Sequence, residues 1–194
     1  EISNTSQGLV KVVNDILDLA VLDSGQVELV MEPFEIHELL VSALELIKNR
    51  IKQKNLYFEF DCLPSIGWMS GDKERLKQVF YKLLSNSVNF TPPRGHITLS
   101  GKRERDSIII MIDDTGVGIP KDEKTKIFDA FQKGTSDLRE NKQNKEHNLG
   151  NGYGIGLGLT IVKRFVEMHN GSIEVKSRIG RGTKVVCCFP ILSQ

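Results

Sequence analysis

Apolar positions recur at three- and four-residue steps over residues 2–22, placing Val13, Ile16, Leu17 and Ala20 on one face of a predicted helix that Asp23-Ser24-Gly25 ends. With Leu9, Val12 and Leu19 added, that face is wide for a lone helix and predicts packing against a partner helix, from this chain or another. Residues 27–33 predict a short strand or hinge closed by Pro33. A helix follows over about 35–52 on Ile36, Leu39, Leu40, Ala43, Leu44, Ile47 and Ile51. Leu56, Phe58 and Phe60 mark a strand over 55–61, and Asp72 caps a helix over about 73–90 that Pro92-Pro93-Arg94-Gly95 stops.

Strands near 96–103 and 107–113 flank the polar turn Glu104-Arg105-Asp106. The second contains Ile108-Ile109-Ile110-Met111-Ile112, apolar throughout, and is expected at the centre of a sheet. Residues 121–129 predict a helix, and another runs over about 156–169 to Asn170-Gly171. Strands near 172–178 and 182–189 surround Gly180-Arg181-Gly182. Two consecutive strand pairs among helices predict an α+β fold rather than β-α-β alternation. Residues 132–153 carry only Leu138, Leu149 and Tyr153 as large apolar groups, the mark of a functional or disordered loop.

Charge narrows the choices. Against 26 Lys+Arg stand 25 Asp+Glu, a net charge of +1, so the chain lacks the basic excess of a nucleic-acid binder. Its 39% hydrophobic content suits a packed core and argues against disorder. No apolar run approaches the ~18 residues of a membrane span. No secretory signal heads the chain, and its start at Glu1 leads us to expect a piece of a longer protein. Cys62, Cys187 and Cys188, odd in number with two adjacent, argue for a reducing compartment and against a disulfide framework. There is no CxxC and no HExxH, which argues against zinc.

Four segments carry candidate chemistry. Asp113-Asp114-Thr115-Gly116-Val117-Gly118-Ile119-Pro120 follows the apolar strand. A carboxylate there can accept from an exocyclic amine, with glycines letting a ligand come close. A tight turn with a solvated Asp is the plainer reading. Gly150-Asn151-Gly152-Tyr153-Gly154-Ile155-Gly156-Leu157-Gly158-Leu159 runs into a helix, and open backbone N–H groups at a helix start favour phosphate. No strand precedes it and no Gly-Lys-Ser/Thr follows, so it is neither a dinucleotide fingerprint nor a Walker motif. On the 73–90 helix, Arg75, Gln78, Lys82, Asn86 and Asn89 share about 80° of arc. A solvated stripe is the ordinary reading; two asparagines, poor helix formers, invite a ligand role, and an amide oxygen suits Mg²⁺ beside phosphate. Ile127-Phe128-Asp129-Ala130-Phe131-Gln132-Lys133 reads as core packing, or as the anchor of a lid with Lys133 near a phosphate.

In this order the segments resemble the catalytic, ATP-binding domain of sensor histidine kinases of two-component systems. Ser85-Asn86-Ser87-Val88-Asn89-Phe90-Thr91-Pro92 is similar to the N box, Asp114 to Ile119 to the first glycine box, Phe128 to Phe131 to the F box, and Gly154 to Leu159 to the second glycine box. Asn14 to Leu19 and Asp23-Ser24-Gly25 resemble the second helix of the dimerisation and phosphoacceptor domain. The resemblance implies a two-layer α/β sandwich, a mixed sheet with helices on one face, shared with gyrase and related ATPases. It implies 1–24 as part of the dimerisation domain, 25–34 as hinge, 35–194 as catalytic domain and 132–153 as ATP lid.

The resemblance also implies roles. Asp114 reads the adenine amine, and Thr183 helps hold adenine through water. Asn86 ligates Mg²⁺, with Asn89 beside it on the phosphate-facing stripe. Gly116, Gly118, Ile119 and Phe131 line the nucleotide. The backbone of Gly154, Ile155, Gly156, Leu157, Gly158 and Leu159 borders the phosphates, and Lys133 falls where the family often has an Arg. ATP and Mg²⁺ are the implied ligands, and a homodimer and a response-regulator receiver domain the implied partners. The implied location is the cytoplasm, including as part of a membrane-anchored sensor.

The phosphoacceptor histidine is expected before residue 1. His37-Glu38 lies past the hinge and reads as a surface pair, His96 and His147 have no partner pattern, and His169 ends a helix where a cation suits the dipole. Two positions depart from the N box: Lys82 replaces an Asn, and Asn89 replaces a frequent Lys. The cation is thereby relocated along the stripe, or crowds the metal. A phosphotransferase is the leading expectation. A nucleotide-binding pseudokinase scaffold is the alternative, and hydrolysis is disfavoured because the stripe has no Glu.

Overall fold

The computed structural model describes residues 13–14, 16–22, 25, 28–130 and 156–191. Helical backbone runs through 13–14 and 16–22, the described part of the predicted 2–22 helix. The 132–153 reading, Phe131, Lys133, Gly154 and Ile155 lie outside the described residues. In chain order come β1 (Glu32–Glu35), α1 (Ile36–Glu45), α2 (Lys48–Gln53), β2 (Tyr57–Cys62), a 3-10 turn (Pro64–Ile66), β3 (Trp68–Gly71), α3 (Lys73–Phe90), β4 (His96–Glu104), β5 (Ser107–Asp114), α4 (Gly158–Met168), β6 (Ser172–Arg178) and β7 (Gly182–Pro190).

Five strands form one mixed sheet in the order β2-β4-β5-β7-β6. β2 and β4 are parallel, and every other neighbouring pair is antiparallel. The apolar run 108–112 is the central strand, as its composition requires. Ile108, Ile110 and Ile112 point into the core at 0–2% exposure, while Ile109 and Met111 are half-buried on the other face. Helices cover the inner face. Phe80 of α3 meets Phe189 of β7 edge-on with ring centres 6.2 Å apart, and α3 packs between α1 and α4. This is the α+β sandwich with helices on one side of a mixed sheet.

The caps of α3 follow from its flanking residues. Asp72 has extended backbone and its Oδ1 accepts from Arg75 N–H at 3.0 Å, a cap typically worth about 1 kcal/mol. Thr91 precedes a proline and is held extended (φ −88°, ψ 126°), which stops the helix. Lys54 Nζ donates to the last-turn carbonyls of Val88 (2.8 Å) and Asn89 (2.6 Å), a cation at the negative end of the dipole.

Several expectations need correction. The helix read over 35–52 is two helices, because the chain breaks at Ile47 (φ −115°, ψ −5°); this buries Ile47 and Ile51 while Leu46 stays exposed. Residues 121–130 form turns rather than a helix: Glu123, Lys126 and Asp129 each donate three residues back. Pro33 lies inside β1, which pairs with β3 in a separate two-stranded sheet where a proline is tolerated. Neither β3 nor the 3-10 turn is legible in the apolar pattern. His169 follows the last turn of α4, but not as the cation its place at the dipole's negative end suggests. It is 6% exposed, and burial lowers its pKa more than the Phe165 bond and nearby Asp72 raise it.

Candidate functional site

On the three strands at the centre and one edge of the sheet, the inward-facing series is apolar until its last member. Ile108, Ile110 and Ile112 lead to Asp114; Phe189, Cys187 and Val185 lead to Thr183; Ile173 and Val175 lead to Ser177. The register sets these polar ends in one row, Asp114 opposite Thr183 and Thr183 opposite Ser177. The row lies on the helix-covered face, where β5 ends.

Asp114 is 6% exposed. Its Oδ1 accepts from the N–H groups of Gly116 (2.9 Å) and Thr183 (3.2 Å), and its Oδ2 accepts from the Ser87 hydroxyl (3.1 Å) on α3. Burial pushes its carboxyl above the ordinary value. The three hydrogen bonds oppose this, and neighbouring Asp113 adds to it. Such a carboxylate, low in water contact and with a lone pair left on Oδ2, seeks a further donor.

Backbone geometry shapes the floor. Gly182 has φ +90°, and a Cβ there would lie 1.8 Å from Asp114 O, so only glycine lets β7 start against the end of β5. Gly118 (φ +74°) has the same requirement, with Arg178 O 2.2 Å from a Cβ. Ile119 N–H donates to Ser177 Oγ at 2.8 Å, and Val117 N–H to Phe90 O at 3.2 Å. The loop carrying Gly116, Gly118 and Ile119 is thereby fastened to β6 on one side and α3 on the other.

The polar stripe of α3 is divided among partners. Arg75 Nη1 and Gln78 Nε2 reach the two oxygens of Asp18, at 3.2 and 2.5 Å, on the N-terminal helical segment. The Arg75 guanidinium also lies over the Phe165 ring, 5.0 Å from its centre. Lys82 is 7% exposed. Asn89 Oδ1 accepts from Arg50 Nη2 at 2.5 Å, and Arg50 Nη1 donates to Ser85 Oγ at 2.9 Å. Asn86 is half-buried, and among the described residues its amide makes no hydrogen bond. Of the two asparagines, the structure leaves Asn86 available and occupies Asn89.

α4 begins at Gly158 after Leu157, which supplies no side-chain cap. Among the described residues its first-turn N–H groups therefore have no cap, and the Thr160 hydroxyl in that turn is buried with no partner there either. Leu157 is 1% exposed and Leu159 packs on the core, so both offer a ligand only their backbones; Gly156 stands at φ +79° just before. No cluster of three or more metal-ligating His, Cys, Asp or Glu side chains exists among the described residues.

Sequence reasoning missed Ser87 and Ser177. The signal for Ser177 was present: a polar residue ending an apolar period-two series at the register of Asp114 and Thr183.

Residues 71–193 match the family model described as "Histidine kinase-, DNA gyrase B-, and HSP90-like ATPase". The circadian input-output histidine kinase CikA of Synechococcus elongatus is 32% identical over 191 residues, 97% of this chain and 24% of CikA. The sensor protein DivL of Caulobacter vibrioides is 31% identical over 186 residues, 96% of this chain and 22% of DivL. Among solved structures, full-length ShkA in complex with AMPPNP is similar with a TM-score of 0.78 at 28% identity, over 96% of this chain and 36% of that one. The chain thus spans about a quarter of the length of the curated relatives it matches.

Proposed function

We propose a function from one premise: this chain belongs to the histidine kinase-, DNA gyrase B- and HSP90-like ATPase family. It is the ATP-binding catalytic module of a sensor histidine kinase. The γ-phosphoryl group of ATP passes to a histidine on a helix preceding residue 1, and from there to an aspartate of a response regulator. The bond from the γ-phosphorus to the ADP oxygen breaks as the bond to the imidazole nitrogen forms, and the imidazole proton leaves to a base beside the acceptor.

The observation that carries this reading is the buried carboxylate of Asp114 in register with Thr183. A lone acceptor, desolvated at a strand end, suits an exocyclic amine such as that of adenine. The uncapped start of α4 supplies donors for the phosphates. Asn86 would hold Mg²⁺, since an amide oxygen with no partner among the described residues is a hard ligand that leaves the other positions to phosphate and water. When bound, Mg²⁺ neutralises charge on the transferring phosphates. Glu74 is exposed, and no carboxylate stands on the α3 stripe, which favours transfer over activation of water. Val13, Ile16, Leu17 and Val21, 45–56% exposed, give the N-terminal segment an apolar face that suits dimerisation through paired helices.

A chain extended by its preceding helix, incubated with γ-labelled ATP and Mg²⁺, tests the proposal: acid-labile, base-stable label on that helix is the expected result. A second reading is a nucleotide-binding scaffold without phosphotransfer. Its motive is Lys82, 7% exposed and one helical turn from Asn86, whose ammonium opposes a divalent cation. ATP binding without label would select it.

A further inference from the structure

Donor and acceptor counting fixes the protons in the Asp114–Thr183–Ser177 row. Ser177 Oγ has three neighbours: Ile119 N–H at 2.8 Å, Gly182 O at 2.8 Å and Thr183 Oγ1 at 2.9 Å. A hydroxyl has one proton and two lone pairs. A carbonyl oxygen can only accept, so the contact with Gly182 takes the one Ser177 proton. The Ile119 amide can only donate, so it occupies one lone pair. The second lone pair remains for Thr183, which must therefore donate. The Thr183 proton is spent on Ser177, and Thr183 Oγ1 is left with lone pairs alone. Asp114 Oδ1 is filled by two N–H groups, while Oδ2 holds one hydroxyl proton and keeps a lone pair. Both groups offered to a ligand at this end of the row are acceptors.

We propose that Ser177 is a positioning residue that locks the Thr183 hydroxyl as an acceptor and thereby sets discrimination for 6-amino over 6-oxo purines. The proposal rests on the adenine reading above. A 6-amino purine presents a donor to this all-acceptor row. In direct contact, without the bridging water that the family resemblance implies, a 6-oxo purine presents a lone pair, and with Ser177 in place Thr183 cannot turn its proton to meet it. Without Ser177 the Thr183 hydroxyl rotates freely and can donate to an oxo group, while Asp114 still rejects it.

The test compares ATP with inosine triphosphate, its 6-oxo counterpart, by equilibrium titration of the 194-residue chain and of Ser177→Ala, Ser177→Thr and Thr183→Val. The unmodified chain should prefer ATP. Ser177→Ala should narrow the ATP-to-inosine preference by roughly three- to tenfold, the range of one neutral hydrogen bond, and Ser177→Thr, which keeps the hydroxyl, should restore it. Thr183→Val keeps the test open should Ser177→Ala fail to fold: removal of a locked acceptor should weaken ATP binding and leave inosine triphosphate affinity undiminished, whereas a matching loss for inosine triphosphate would show that the hydroxyl donates in the unmodified chain and would overturn the proposal. Equal weakening of both nucleotides by Ser177→Ala, with the ratio unchanged, would overturn the proposal and leave Ser177 as a structural staple. Failure of the unmodified chain to bind ATP would overturn the adenine reading itself, and this proposal with it.

Discussion

His169 Nε2 accepts a hydrogen bond from the backbone N–H of Asp72 at 2.9 Å, across 97 residues of sequence. Its other nitrogen lies 2.7 Å from Phe165 O, which only accepts, so Nδ1 carries the proton. One neutral imidazole thus joins the C-terminal end of α4 to the N-cap of α3. The Asp72 carboxylate extends the junction, since its Oδ2 accepts from Val30 N–H at 3.1 Å, ahead of β1.

This junction makes stability depend on pH. Burial lowers the His169 pKa, so the folded chain binds fewer protons than the unfolded one below the ordinary histidine value of ~6.5. The contribution is complete above that pH and is lost as pH falls below it, at up to about 1.4 kcal/mol per pH unit for one proton. Urea midpoints measured from about pH 8 to 5 should decline on the acid side. His169→Gln, whose amide can accept and donate at once, should flatten that decline.

Asp114 carries opposite signs for binding and for stability. Its raised pKa means that ionisation disfavours the fold, so Asp114→Asn should raise the melting temperature of the nucleotide-free chain. The same change should weaken adenine nucleotide binding, and Asp114→Ala should cost about 10- to 150-fold in affinity, the loss of a charged hydrogen bond. Recognition needs the carboxylate, so affinity should also fall as pH drops toward the carboxyl's raised pKa. Titration with a fluorescent ATP analogue reads all three effects, and an affinity unmoved in Asp114→Ala would remove Asp114 from the site.

The two asparagines of the N-box segment should behave differently. Asn86→Ala should lower Mg²⁺-dependent ATP affinity with little change in stability. Asn89→Ala should act mainly on stability, because its oxygen is bound to Arg50. Arg50→Ala should reproduce that loss at roughly 1–3 kcal/mol, since Ser85 and Asn89 both lose a charged donor. Titrations with and without Mg²⁺, beside urea denaturation, separate the cases.

Gly182→Ala should lose more than about 3 kcal/mol. Its Cβ would collide with Asp114 O, and φ +90° adds strain for any side chain. Circular dichroism on melting measures the loss, and a chain with unchanged stability would contradict the described start of β7.

The α3 helix, with Asp72 before it and Pro92 after it, could be read to the residue because both ends carry explicit signals. β5 was equally plain in its apolar run. β3 was not: Trp68, Met69, Ser70 and Gly71 are four residues of mixed polarity whose strand form depends on β1, an element distant in sequence. The turns over 121–130 imitate a helix because Ile127 and Ala130 supply apolar residues at a three-residue step without a capped start. Motif order singles out Asp114 and Thr183, which the register sets opposite each other, and Asn86, half-buried on α3. The commitment of Asn89 to Arg50 was not legible, because it joins residues 39 apart whose meeting depends on the break at Ile47. The protonation of His169 was misread for a related reason: helix position suggests a cation, but only tertiary packing shows that the ring is enclosed.

The Asp18 contact has a geometric consequence. Successive side chains on a helix are displaced by 100°, so Asp18 meets Arg75 and Gln78 in only one angular setting of the N-terminal segment. A twist of that segment by a single residue step would sweep the carboxylate aside. The Arg75 guanidinium would remain stacked on Phe165 of α4 without its counter-charge. The pair therefore registers torsion of the incoming helix as a change of charge balance on the surface shared by α3 and α4, much as a keyed shaft registers its angle in a lock.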